Sequence, residues 1–164
     1  HRTPHDENIL CFAQTSNLRA SSRFLLRDQV MPQATLDNAT ALYKKAGITN
    51  PRQEIDCAEI YVPFSWFEPM WLEGMRIADI NEGWKMTYEG ATAMDGDLPV
   101  NMSGGVLSTN AIGASGMVRF AEVAMQVRGQ AGEHQIDGAK KVLGHAYGGG
   151  SQYFSMWILG DKPL

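Results

Sequence analysis

The sequence predicts an α/β domain, a layered mixed sheet covered by helices, and three observations carry that expectation. Short apolar runs of strand type alternate with segments whose apolar residues recur every three or four positions. Proline and glycine fall at the joints between these segments. The chain then closes on two β-rich runs, 139–147 and 151–159, separated by Gly148, Gly149 and Gly150, which reads as a hairpin-like return.

Taken in order, residues 1–8 are polar and read as an entry segment, and the apolar run 9–13 reads as a buried strand. Residues 14–28, rich in Ser, Arg and Asn, read as a long surface excursion from which Phe24, Leu25 and Leu26 dip into a core. A helix is expected from Pro32, with Leu36, Ala39, Tyr43 and Ala46 as its buried stripe and Lys44, Lys45 and Gly47 as its stop signal. Residues 55–62 alternate and end apolar, as a strand does, before Pro63 ends the run. Ser65 and Glu68 have capping-box spacing ahead of a second helix with Trp66, Phe67, Met70, Trp71 and Met75 on its apolar face. Residues 79–100 read as irregular with one short strand. The last helix is expected over about 113–127, buried through Met117, Phe120, Ala121, Ala124 and Val127 and stopped at Arg128 and Gly129. The predicted order is strand, helix, strand, helix, loop, helix, strand, strand.

Composition bounds the function. The 164 residues are 44% hydrophobic and 20% charged, enough for one core. A net charge of −4 leaves no basic excess, which argues against nucleic acid as the main partner. No apolar run reaches the length of a membrane span and no signal pattern opens the chain, so a cytoplasmic protein is expected. Cys11 and Cys57 sit in apolar runs without metal-type spacing and are expected as buried thiols in a reducing compartment. No metal or resident cofactor is expected in this chain. Its start at His1 rather than methionine leads us to expect a processed, trimmed or partial chain.

The uncharged, glycine-rich stretch 101–116 stands apart. Glycine serves where backbone takes positive φ or approaches another group closely, and a helix N-terminus after such a loop offers N–H groups to a partly negative oxygen. Composition leaves this stretch open between a site and a simple connector.

Three ordered segments carry a resemblance. Tyr61-Val-Pro-Phe64, Asn101-Met-Ser-Gly-Gly105 with Thr109-Asn-Ala-Ile-Gly-Ala-Ser-Gly116, and His145-Ala-Tyr-Gly-Gly-Gly150 resemble, in order, the motifs of the C-terminal half of the thiolase superfamily, in particular the sterol-carrier-protein type. That resemblance implies a thiolase-like C-terminal domain whose N-terminal half, with the family's nucleophilic cysteine, is absent from this chain. The departures are specific: Tyr61 stands where the first motif has histidine, Asn110 where the second has its catalytic histidine, and Ala146 where many thiolases have a second cysteine. Claisen chemistry needs a thiolate, a histidine to activate it and a proton handler at the α-carbon. Asparagine cannot take a proton and alanine offers nothing polar.

The tyrosine-bearing turn and the altered first motif resemble a cysteine-free group of this superfamily, the bacterial steroid side-chain-cleaving aldolases. The resemblance implies retro-aldol cleavage of a steroid-type β-hydroxyacyl-CoA in lipid metabolism, with the coenzyme A thioester as substrate and a homodimer of thiolase-like subunits. It also implies an OB-fold partner of the DUF35 type, in which any zinc would reside. It assigns Tyr61 and Tyr147 as the proton-handling pair, His145 as a polar or orienting neighbour and Asn110 as a neutral donor. Gly148 and Gly149, with Asn101 and Gly113, would line the thioester oxygen. An acyltransferase whose nucleophile lies in the missing half, and a non-catalytic scaffold subunit, are the alternatives. Taken without the resemblance, Tyr61 is a core aromatic with its hydroxyl at the rim, His145 a satisfied structural histidine, and the Met70, Trp66 and Trp71 cluster helix packing or an apolar wall suited to a steroid. His1, His5 and His134 are expected at the surface.

Overall fold

The computed structural model describes residues 10–18, 31–148 and 153–162. One four-stranded mixed sheet organises them, in the order β1-β4-β3-β2. Strand β1 (Leu10–Leu18) runs antiparallel to β4 (Tyr153–Gly160), β4 antiparallel to β3 (Lys141–Gly148), and β3 parallel to β2 (Cys57–Glu59). The two closing strands therefore do form an antiparallel pair. The expected excursion at residues 14–28 is corrected at its start: Gln14 to Leu18 continue β1, because every one of these residues finds a ladder partner on β4. Phe24, Leu25, Leu26 and Gly149 lie outside the described residues, as do His1, His5 and the side chain of Cys11.

Side chains alternate across the pleat and give the sheet two cores. Leu143, Phe154, Met156 and Ile158 face α1 (Gln33–Ala46) and α3 (Phe67–Gly74), where Ala39, Leu42, Tyr43, Trp71 and Leu72 complete one core. Val142, Trp157 and Leu159 face α6 (Ser115–Arg128), and Cys57, Met102, Val123 and Val127 close the second. Short helices α2 (Pro51–Glu54), α4 (Gly83–Tyr88) and α5 (Gly105–Ser108) fill the connections.

Helix α1 ends as its sequence signals. Lys44 and Lys45 lie in the last turn, and Gly47 takes a left-handed φ of 64° while its N–H bonds to the Tyr43 carbonyl. Its buried stripe includes polar Thr35 and Asn38, whereas Leu36 is only half-buried. The expected strand 55–62 shrinks to three ladder residues, all buried, since β2 has core on both faces and cannot alternate. No capping box forms at Ser65: the Glu68 carboxylate instead accepts hydrogen bonds from Thr87 and Thr92, tying α3 to α4 and the loop beyond it. Trp66 is exposed rather than packed. The stretch 79–100 holds α4 and, in place of a strand, one parallel bridge between Ala58 and Val100.

The largest correction concerns α6. Its buried residues are Ser115, Arg119, Val123, Gln126 and Val127, while Met117 is 70% and Phe120 36% exposed and Ala121 is exposed too. The face turned to the sheet carries an arginine and a glutamine because Glu59 and the segment 134–136 supply their partners.

Gly144 fixes how β3 meets β4. It pairs with Trp157, and a Cβ there would lie 2.0 Å from the indole nitrogen. Gly144→Ala is expected to destabilise the domain by about 3 kcal/mol, the upper range for forced overpacking. Denaturant unfolding would measure this, and an unchanged midpoint would mean that the indole moves aside freely.

Candidate active site at the ends of β2 and β3

Strands β2 and β3 run parallel, and the residues that leave their carboxyl ends converge, the usual place for ligands in an α/β sheet. The ladder between them stops at Glu59 and Gly144. Beyond it the backbone is held by side chains. The Ile60 N–H donates to Asn101 Oδ1 at 2.8 Å, the Tyr61 N–H donates to His145 Nδ1 at 3.4 Å, and the Trp71 indole N–H donates to the Tyr61 carbonyl at 2.6 Å. Held so, the Tyr61 ring meets the Tyr147 ring with centroids 5.8 Å apart and planes inclined by 41°. Trp71, Phe67 and Phe154 surround Tyr147 at centroid distances of 5.3, 5.8 and 5.6 Å, a favourable range for tilted aromatic pairs. Both tyrosines are half-buried, with Tyr147 packed in this aromatic cluster.

His145 lies wholly inside. Its ring meets Trp71 edge-on at 5.0 Å and stacks on Phe154 at 5.9 Å. Burial pushes its pKa from 6.5 down to about 3, so the imidazole is neutral. Since Nδ1 accepts the Tyr61 N–H, the proton resides on Nε2, which has no hydrogen-bond partner among the described residues. An imidazole so placed stays neutral near pH 7, and its Nδ1 serves as the acceptor that fixes the Tyr61 N–H.

The glycine-rich stretch divides into two parts with different work. Asn101, at φ 55°, donates its own N–H to the Ala58 carbonyl while its side chain holds Ile60, so it anchors the loop to the end of β2. Asn110 is exposed, and its Oδ1 accepts from the Ile112 N–H and the Ser115 hydroxyl, both at 2.9 Å. It thus supports the left-handed turn at Ile112, φ 51°, and the first turn of α6. Gly113 lies in the exposed 3₁₀ turn of residues 112–114, and Gly148 ends β3 with φ in the ordinary negative range. Ala146 points to α6: a Cβ on Gly116 would come within 2.9 Å of it. The structure accordingly gathers Tyr61, Tyr147, His145 and Asn101, and sets Asn110 and Gly113 beside the opposite face of the sheet.

Sequence named Trp71 only as helix packing or as part of an apolar wall suited to a steroid, and did not single out Glu59 or Arg119. Glu59 and Arg119 form a buried ion pair between β2 and α6, with Arg119 Nε 3.2 Å from Glu59 Oε2. The contact is ionic rather than a directed hydrogen bond, since Nε and Nη1 of Arg119 lack well-aligned acceptors among the described residues. The Ser103 N–H and hydroxyl complete the cradle at 3.0 and 2.9 Å from the carboxylate. Burial raises the Glu59 pKa, and the Ser103 bonds and Arg119 oppose that rise. His134 is half-buried rather than at the surface, with Nε2 3.0 Å from Glu122. Cys57 is a buried free thiol, its pKa pushed up to about 12 by burial and by nearby Asp56 and Glu59, which makes it no nucleophile. Among the described residues no cluster of three or more His, Cys, Asp or Glu could hold a metal, and no helix is long and apolar enough to cross a membrane.

Two measurements check this electrostatic picture. Arg119→Leu or Glu59→Ala alone is expected to cost about 3–5 kcal/mol by stranding the other charge, and the joint apolar replacement much less; equal costs for single and joint variants in denaturant titrations would contradict it. Below pH 6.5 the unfolded chain protonates His145 while the folded one does not. Its contribution to stability is therefore full above pH 6.5 and falls by roughly 1.4 kcal/mol per unit as pH drops toward 3. His145→Asn should flatten this part of the stability profile, and an unchanged slope would show that the imidazole is accessible to protons.

Comparison with known proteins identifies the family of the fold. Residues 17–161 match the model of the thiolase C-terminal domain-like family. The acetyl-CoA acetyltransferase of Methanothermobacter thermautotrophicus is 36% identical over 124 residues, 75% of this chain and 32% of the relative. Human sterol carrier protein 2 is 32% identical over 124 residues, 74% of this chain and 22% of that protein. The chain thus spans about a third or less of these relatives. Among solved structures, the Ltp2-ChsH2(DUF35) aldolase superposes with a TM-score of 0.77 over 95% of this chain and 40% of that one, at 24% identity. A monomeric SCP2-thiolase-like protein type 1 from Mycobacterium smegmatis does so with 0.66 over 98% and 31%, at 16% identity. At such identities the two structures speak for the fold. With its mixed sheet, its paired closing strands and a family match over nearly its whole length, the chain belongs to the thiolase superfamily as a C-terminal thiolase-like domain.

Proposed function

We propose that this domain supplies the proton-handling pair of a thiolase-like lyase that cleaves a β-hydroxyacyl-CoA by retro-aldol chemistry. The observation that carries the reading is the tyrosine pair, Tyr61 against Tyr147 at the ends of β2 and β3, combined with an Asn110 that serves as a turn support where thiolases have histidine. One phenol, as phenolate, takes the proton of the β-hydroxyl; the bond between the α- and β-carbons breaks; and the β-carbon becomes a carbonyl. The bonding electrons pass into the thioester enolate, which the second phenol protonates at the α-carbon, releasing a shortened acyl-CoA. The backbone after Tyr147, beginning with Gly148, would offer its N–H groups to the enolate oxygen. Gly149 remains part of this proposal.

The aldolase among the structural neighbours supports this choice of reaction, and its DUF35 component supports an OB-fold partner. A steroid-type acyl group, a homodimer and a cytoplasmic site of action belong to the same proposal. So does the N-terminal half of the fold, which would cover the exposed apolar residues at the start of α6, Ile112 in the preceding turn and Met117 in the first turns of the helix.

In the intact protein with its partner, Tyr61→Phe and Tyr147→Phe are each expected to lower kcat for cleavage at least about 100-fold without change in fold, the usual scale for a lost acid or base. Full turnover in both variants would overturn the reading. The acetyltransferase relative favours a second one, acyl transfer with a cysteine in the other half. Mass spectrometry of protein incubated with acyl-CoA distinguishes them: a covalent acyl adduct would support the transferase and exclude the lyase mechanism.

A further inference from the structure

We propose that Trp71 and His145 are positioning residues that clamp the Tyr61 peptide from both sides and thereby set the spacing of the tyrosine pair. The inference rests on the tyrosine pair being the working groups. Residue 61 has left the ladder, so neither its N–H nor its C=O has a strand partner. His145 Nδ1 takes the N–H, and the Trp71 indole gives its N–H to the C=O. Each clamp residue is fully buried and therefore held in one place by packing. They also touch each other, with ring centroids 5.0 Å apart.

The clamp reaches the second tyrosine directly. The Trp71 ring lies 5.3 Å from the Tyr147 ring, so one indole bonds the backbone of Tyr61 and packs against the side chain of Tyr147. His145 and Tyr147 are two apart on β3 and share a sheet face. A shift of the Tyr61 peptide must break a buried hydrogen bond, and a shift of Tyr147 must displace Trp71. Misplacement of reacting groups by about 1 Å is enough to cost about 100-fold in rate. Neither residue needs to carry a proton to have that effect, and His145 with a pKa of about 3 is unsuited to carry one.

The test uses the intact protein with its partner, three single variants and a Tyr147→Phe background. Trp71→Phe keeps an aromatic ring and removes the donor; His145→Leu removes the acceptor; His145→Asn places an amide oxygen near the Nδ1 position. We expect Trp71→Phe and His145→Leu to lower kcat about 10- to 100-fold with KM within about 3-fold, and His145→Asn to rescue most of the loss seen with leucine. In a Tyr147→Phe background, Trp71→Phe should add less than about 2-fold, since its effect passes through the pair. Equal loss in the asparagine and leucine variants, or full additivity with Tyr147→Phe, would overturn the clamp. A readout independent of turnover comes from 3-fluorotyrosine placed at position 147. Its ¹⁹F resonance should shift in Trp71→Phe and His145→Leu and return toward wild type in His145→Asn. If the resonance behaves so while Tyr61→Phe and Tyr147→Phe stay active, the clamp stands as a structural device and the lyase reading falls. An unmoved resonance in both disruptive variants refutes the clamp itself.

Discussion

The constraint on which the site depends is the early end of the parallel ladder between β2 and β3. After three paired residues the two strands part, and the next two peptide units must find partners for buried polar groups or incur a large desolvation penalty. Asn101, His145 and Trp71 meet that need from a loop, a strand and a helix. Because the three come from different elements, the path of residues 60–61 is set by the whole fold rather than by the strand alone. A tyrosine on a free loop end would sample many positions. Here its backbone has few left.

A second constraint works on the other face. Glu59 points to Arg119 on α6 and to Ser103, while the next two residues turn to Asn101 and His145. One short segment therefore anchors α6, the glycine-rich loop and the tyrosine site. A buried ion pair contributes little to net stability once its desolvation is counted, but its geometry is demanding, which suits a joint where three elements must agree. Near the start of α6, Met117 is 70% exposed, while Phe120 is partly exposed yet meets the Trp157 ring at 5.6 Å, so the helix has apolar side chains on both its inner and outer sides.

Much of the layout was legible from periodicity and punctuation. Helix α1 stops at Gly47 as its lysines and glycine require, and the closing strands pair as the glycine-separated runs suggest. The orientation of α6 was not legible, because apolar residues lie on more than one of its sides: Val123 and Val127 face the sheet, Phe120 touches Trp157 at its edge, and Met117 faces outward. A rule that turns apolar residues inward cannot anticipate Arg119 and Gln126 in the core, since Arg119 finds Glu59 on a distant strand and Gln126 finds the His134 carbonyl in the turn beyond the helix. The site was legible in part. Motif order pointed to Tyr61, Tyr147 and His145, and these do converge. Asn110 occupies a motif position, yet its side chain is engaged in a local turn, and motif position alone carries no information about that. Trp71 could have been suspected only from its indole N–H, a buried donor that must find an acceptor somewhere.

The pleat of β3 has a consequence for what substitution can change. Ala146 and Tyr147 are neighbours in sequence but look to opposite sides of the sheet, one toward the start of α6 and the other toward α3. A strand built this way keeps two surroundings apart, so a substitution at one of the two positions leaves the packing around the other in place. The tight seat of Trp157 against Gly144 keeps the sides from being exchanged, for a slip of one residue would turn every side chain of the strand to the wrong face.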